Sequence, residues 1–269
     1  MIVDAQIHVW QADCPERPWP RSGADGRTAI PQRPDPLTAP EAIAAMDDAG
    51  VDRAILVPPS WEGDRNDVAL AAVRDFPGRF AVMGRVGPDR IALDRWRDQP
   101  GMLGARVILS QLPEAGAHWL WAEAERCGVP VMIAPTGRID VVEKVARAFP
   151  QLRLIVDHMG ARVHRKGAAA FVDIDRLVRI AQLDNVAVKL SCLPDYSAES
   201  SPWGDAMPYA ARLFRAFGAE RSFWGSDLSR LPCPYGALVE VFRDELSWLS
   251  GSDRDAVMGT AILRWLNWR

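Results

Sequence analysis

The feature that most constrains this chain is a repeated change of period. Eight short apolar runs recur along it, at residues 2–8, 54–58, 80–86, 105–109, 131–134, 152–158, 186–191 and 222–226. Between them lie longer stretches in which apolar side chains return every three or four positions. The runs are continuously apolar and leave no solvent face, which predicts strands buried on both sides in a parallel sheet. Helices are predicted over 40–49, 66–76, 116–127, 139–149, 168–183, 205–217 and 235–249, with a further candidate at 88–98. Several end at stop signals such as Gly50, Pro77-Gly78, Gly128 and Pro150. Eight strands alternating with helices at this length have the size and order of a single-domain (β/α)8 TIM-type barrel, here spanning 1–269. A doubly wound open sheet is the alternative, since alternation alone does not distinguish closure from openness.

A chain of 269 residues that is 48% apolar and 25% charged can fill such a barrel and is not disordered. Its 32 basic and 35 acidic side chains give a net charge of −3, so no electrostatic footprint for nucleic acid is expected. No apolar run approaches the roughly 18 residues that span a bilayer. Asp4 and His8 make the N-terminal stretch unlike a signal peptide. Cys14, Cys127, Cys192 and Cys233 show no CxxC spacing, which predicts reduced thiols in a cytoplasmic protein. No GxGxxG follows the first run and no GxxxxGK motif occurs, so no nucleotide site is expected. The expected partner is a small molecule, with homo-oligomerisation left open.

Two stretches are too long to be simple connectors: 11–39, with six prolines from Pro15 to Pro36, and 192–204, ending Ser-Pro-Trp-Gly. Both follow strands, so both belong at the C-terminal mouth, where barrel enzymes carry their chemistry. Prolines lower the entropy of ordering a loop. The first stretch is therefore expected to be ordered across the mouth, with Trp19 or a neighbour against the pocket.

In the first run Asp4, Gln6 and His8 alternate, which places them on one face and Val3, Ala5 and Ile7 on the other. Polar groups turned into a barrel cost about 1–3 kcal/mol each if left unpaired, so they form either a hydrogen-bonded plug or a site. The sixth run ends Asp157-His158-Met159-Gly160, and the eighth ends Trp224-Gly225-Ser226-Asp227. Asp227 would be a cap or a catalytic carboxylate, and the next helix starts too far on, near Pro234, to be capped by it. Closing the barrel brings His8, His158 and Asp227 together. That set supplies a carboxylate to take a proton, and imidazoles or a metal to polarise an electrophile. Arg85 and Arg106 interrupt apolar runs and need anionic partners. With Arg230 they are candidates for gripping a substrate carboxylate. The basic stretch 162–166 reads more simply as a solvated loop. Trp10, Trp61 and Trp203, at or after strand ends, would wall a pocket or fill the core, and the direction of Lys189 stays open.

Four segments together resemble the amidohydrolase superfamily, in its amidohydrolase-related branch (amidohydrolase 2). They are Val3-Asp4-Ala5-Gln6-Ile7-His8-Val9-Trp10, Ile155-Val156-Asp157-His158-Met159-Gly160, Val188-Lys189-Leu190-Ser191 and Phe223-Trp224-Gly225-Ser226-Asp227. The resemblance covers nearly the whole chain. It implies a distorted barrel with the catalytic aspartate after strand eight, which is Asp227, in a branch of lactone hydrolases, lactone isomerases and decarboxylases. Two departures stand out. The family's His-x-His on strand one has Gln6 in its first position. The further histidine common at the end of strand five is absent from Val131-Met132-Ile133-Ala134-Pro135. A neutral amide is a poor zinc ligand, so no cofactor is expected. The resulting expectation is a hydrolase of a carboxylated lactone or related cyclic ester. Asp227 is the general base. His8, His158 and Gln6 bind the carbonyl and its oxyanion. Arg85, Arg106, Trp203 and Arg230 bind substrate. The alternatives are a lactone isomerase, a zinc- or manganese-dependent decarboxylase or hydrolase with His8, His158 and Asp227 as ligands, and a non-catalytic barrel that binds a ligand or subunit.

Overall fold

The computed structural model describes residues 1–20, 30–87, 92–112 and 118–269. The apolar runs form β1 (Val3–Ile7), β2 (Arg53–Leu56), β3 (Phe80–Arg85), β4 (Met102–Ile108), β5 (Val131–Ala134), β6 (Leu154–Val156), β7 (Val186–Ser191) and β8 (Ser222–Gly225). All pair in parallel, and each lies beside its neighbour in sequence. That order is the barrel's, since a doubly wound sheet would interleave its strands. The ring meets itself where Asp227 N donates to the Gln6 carbonyl at 3.0 Å. Gly225 permits the approach: a Cβ there would stand 3.2 Å from the Cβ atoms of both Ala5 and Ser191.

The inner cluster of the barrel contains Val3, Ala5, Ile55, Ala81, Ala187 and Phe223. Ile7, Leu56, Val82 and Trp224 belong to the larger cluster packed under the helices. A register shift between Asp4 and Ile7 in the β1–β2 ladder changes the phase of β1. Val3 and Ala5 point inward before it, Gln6 and His8 after it. Asp4 therefore does not share a face with Gln6 and His8, contrary to the strict alternation expected. It turns outward as a staple across the seam. It accepts from Gln6 N and Ser226 N, both at 2.9 Å, from Tyr235 Oη at 2.6 Å, and from Ser226 Oγ.

Helix α1 (Ala39–Ala49) opens on a capping box between Thr38 and Glu41 and stops at Gly50, φ 73°. It is followed by α2 (Asp67–Asp75), α3 (His118–Arg126), α4 (Ile139–Ala148), α5 (Ile174–Ile180), α6 (Leu193–Tyr196), α7 (Met207–Phe217), α8 (Tyr235–Glu240), α9 (Gly251–Asp255) and α10 (Ala261–Leu266). The helix predicted at 168–183 is reduced to α5, because the Ala170 carbonyl bonds Arg162 N and ties its first part into a turn. The candidate at 88–98 lies partly outside the described residues and otherwise holds a 3-10 turn at Trp96–Asp98. The chain end, for which no helix was predicted, makes the barrel floor: Ala256, Ala261, Ile262 and Leu266 join the inner cluster. Among the described residues no helix is long and apolar enough to cross a membrane. All four cysteines are free.

Candidate active site

Three adjacent strands leave the barrel the same way. The first residue after β7, and the second after β6 and after β8, has a left-handed backbone: Cys192 at φ 60°, His158 at φ 48° and Asp227 at φ 57°. This conformation costs a residue with a Cβ about 1–2 kcal/mol. It keeps the three side chains over the mouth instead of letting them follow the departing loops.

There the Asp227 carboxylate is fully buried. Its oxygens lie 3.0 Å from His8 Nε2, 3.6 Å from His158 Nε2 and 3.8 Å from an Arg230 nitrogen. Among the described residues no backbone N–H or hydroxyl bonds either oxygen. Burial alone would raise this carboxyl, but His8, with His158 and Arg230, outweighs it and holds it far below the usual carboxylate range. Burial pushes the His158 imidazole down to about 3, against the opposing pull of Asp227 and Asp157. His158 is therefore neutral, with Nδ1 at 2.9 Å from Ser191 Oγ. His8 Nδ1 contacts the Val57 carbonyl, which only accepts, so that nitrogen carries a proton. The His8 ring meets Trp61 edge-on, centroids 5.9 Å apart.

Beneath this group lies a buried network of charges. Lys189 Nζ is 2.6 Å from Asp157 Oδ1 and bonds Gln6 Oε1. Arg106 Nε is 3.3 Å from Asp157 Oδ2. Burial would raise Asp157, but Lys189 and Arg106 keep it below its ordinary value. Gln6 Nε2 stands 3.2 Å from Nε2 of both His8 and His158.

A cavity of about 150 Å³ at the mouth is lined by Gln6, His8, Trp61, Arg106, His158, Asp227 and Arg230, with Gln32 above. Arg85 is elsewhere. It lines an adjoining cavity of about 390 Å³ that shares Ser60 and Ile108 with the first. Its guanidinium bonds Gln111 at 2.7 Å and Asp64 at 3.4 Å, and burial together with Arg106 pulls it down to about 10. Trp203 does not line the mouth: it is buried in the outer core, where its carbonyl takes the first bonds of the turn into α7. Trp10 is also core, edge-on to Trp61 at 5.2 Å. Of the 11–39 stretch, residues 21–29 lie outside the described residues. Its two arms contribute Gln32 to the mouth and Pro20 to the adjoining cavity, while Trp19 is buried and donates to the Gln11 carbonyl.

Sequence reasoning missed Asp157, Lys189, Ser191 and Cys192 as members of the site. A signal existed for two of them: a lysine inside an apolar strand, one strand from an aspartate, needs a buried partner of opposite charge. Cys192 brings a thiol close enough that its sulfur and ligand atoms of His158 and Asp227 all lie within 4.8 Å of one another.

Comparison with known proteins places the same residues in a wider setting. A family model described as Amidohydrolase matches residues 3–268. An L-fucono-1,5-lactonase of Burkholderia ambifaria is 27% identical over 92% of this chain and 85% of its own. A 4-sulfomuconolactone hydrolase of Rhizobium radiobacter is also 27% identical, over 71% of this chain and 68% of its own. A Pseudomonas putida protein assigned as a 2-pyrone-4,6-dicarboxylic acid hydrolase superimposes with a TM-score of 0.75 at 21% identity, over 99% of this chain and 97% of its own. A zinc-bound amidohydrolase from Burkholderia multivorans superimposes at 0.74 and 19%, over 99% of each chain.

Proposed function

Because the chain belongs to the amidohydrolase family, matched over residues 3–268, we propose that its mouth hydrolyses a carboxylated lactone or a related cyclic ester. One observation carries the reading: a fully buried carboxylate, Asp227, faces two imidazoles with no backbone N–H or hydroxyl on its oxygens. Its Oδ2, 3.6 Å from His158 and 3.8 Å from Arg230, keeps lone pairs to receive a proton. Asp227 takes one from water as the water oxygen bonds the ester carbon. The carbonyl oxygen becomes an oxyanion, met by the Gln6 N–H on its His8 side, since the Nδ1 protons of His8 and His158 face Val57 and Ser191. The ring C–O bond then breaks, and the proton on Asp227 passes to the leaving oxygen, giving a hydroxy acid. Arg106 and Arg230, both at the cavity wall, would hold a substrate carboxylate. Arg85, one cavity further out, would reach only a longer substrate. The relatives named for lactone hydrolysis support this class of substrate. Asp227→Asn is expected to keep the fold and lose about 100- to 10,000-fold of turnover on a lactone panel. Retention of more than about a tenth of wild-type activity would remove its role as base.

A second reading, a zinc- or manganese-dependent hydrolase or decarboxylase, is favoured by the cluster of His158, Cys192 and Asp227. The donor set fits a divalent ion poorly. Gln6 turns an amide nitrogen toward both imidazole Nε2 atoms, where ligand lone pairs would be needed. Burial, with Asp227 adding to it, pushes the Cys192 thiol well above its ordinary value, whereas ligation needs the thiolate. Lys189, Arg106 and Arg230 already supply positive charge around the site. Protein purified without added metal is expected to hold substoichiometric zinc and manganese and to keep full activity in a strong chelator. One ion per chain, lost together with activity, would establish the second reading instead.

A further inference from the structure

Lys189 is the one ammonium sealed inside the barrel among the described residues, with no exposed surface. Its contacts are Asp157 Oδ1 at 2.6 Å, Gln6 Oε1, and Met132 Sδ at 3.6 Å. Asp157 also has Arg106 as a partner, so charge neutralisation alone does not account for a lysine reaching Gln6. We propose that Lys189 is a positioning residue, whose ammonium locks the Gln6 carboxamide with its NH2 toward the histidines and the cavity.

An ammonium only donates, so the amide must present its oxygen to Lys189. Its nitrogen then faces His158 Nε2 and His8 Nε2, 3.2 Å from each. Toward His158 the nitrogen must donate, so Nε2 of that imidazole is the acceptor and Nδ1 holds the proton, facing Ser191 Oγ at 2.9 Å. Donors thus run one way, from Lys189 through Gln6 and His158 to Ser191. Bonds aligned in this way polarise one another in a dry interior. The second amide hydrogen faces His8 Nε2 at the mouth, a charge-assisted donor shared between that ring and the cavity. A flipped amide would set NH2 against NH3⁺ and release His158 from its tautomer.

The catalytic consequence rests on the lactone-hydrolase reading, whereas the tautomer does not, so the two are measured separately. Nitrogen NMR of histidine-labelled protein at neutral pH is expected to show His158 protonated on Nδ1 alone in the wild type. In Lys189→Met the alternative Nε2–H form should appear. In the same variant kcat on a turned-over lactone should fall about tenfold or more while KM moves less than about threefold. A folded Lys189→Met protein with an unchanged His158 tautomer overturns the proposal, because a purely structural lysine would act on stability alone. Should that variant not fold, the wild-type spectrum decides, since Nε2–H on His158 is incompatible with a locked Gln6. A wild type with the expected tautomer but no lactone turnover would refute the hydrolase and leave the Lys189 assignment standing.

Discussion

His158 ties the site to the stability of the whole chain. Its folded imidazole is pushed down to about 3 by burial, whereas an unfolded chain binds that proton near the ordinary value of about 6.5. Below that value the unfolded state holds more protons than the folded one, so stability falls as pH falls. The expected loss between pH 6.5 and 4.5 is about 2 kcal/mol, from one proton per chain. Urea denaturation across this window measures it, and His158→Gln should flatten the slope. A wild type with equal stability at both ends would mean that His158 charges freely in the fold. The residues of the mouth were legible in sequence to the extent that they follow strands. His8, His158, Asp227, Gln6, Arg106 and Arg230 all line the cavity. Arg85 and Trp203 do not, because position in a run says that a side chain is buried without saying in which compartment. Lys189 signalled a buried partner, but its direction was unreadable: β7 is buried on both faces, so no polarity contrast marks its inner one.

At the scale of elements, the β1–β8 seam depends on Asp4. Its carboxylate accepts from Ser226 N, Ser226 Oγ, Gln6 N and Tyr235 Oη. Asp4→Ala strands these buried donors, and each hydrogen bond to a charged group is worth about 1.5–3 kcal/mol. A stability loss of at least about 3 kcal/mol is therefore expected in urea denaturation, with turnover per folded molecule also reduced because Gln6 is the residue next to the bulge. A loss under about 1 kcal/mol would show that strand pairing alone holds the seam. The bulge itself left no trace in the sequence. Inserting one residue into a ladder changes neither composition nor apolarity, yet it reverses which side chains point inward. The eight strands were legible because each is a compact apolar run. The 168–183 stretch was misread because a turn and a short helix share the same alternation of apolar and polar residues. The floor helices α9 and α10 went unread since no strand separates them from α8, so the alternation that identified the rest has ended.

At the scale of the molecule, the barrel is a ring whose two sides are built differently. The floor is packed with apolar side chains from the chain end, and the mouth collects the charged and polar groups. The arms of the 11–39 stretch reach that mouth and the cavity beside it through Gln32 and Pro20. A substrate long enough to occupy both cavities would meet Arg106 first and Arg85 beyond it.

The seam has a consequence for how the chain comes into being. Asp4 and Ser226, which join across it, are 222 positions apart in sequence. Bringing two such points together costs about 5 kcal/mol of chain entropy before any contact repays it. A ribosome delivers β1 before the other strands of the ring and β8 after them, so β1 waits while the whole ring is made for its second neighbour. His8 stands just past one side of that junction and Asp227 just past the other. The nascent chain therefore carries no partial version of the site, and the carboxylate and imidazole first meet when the ring shuts.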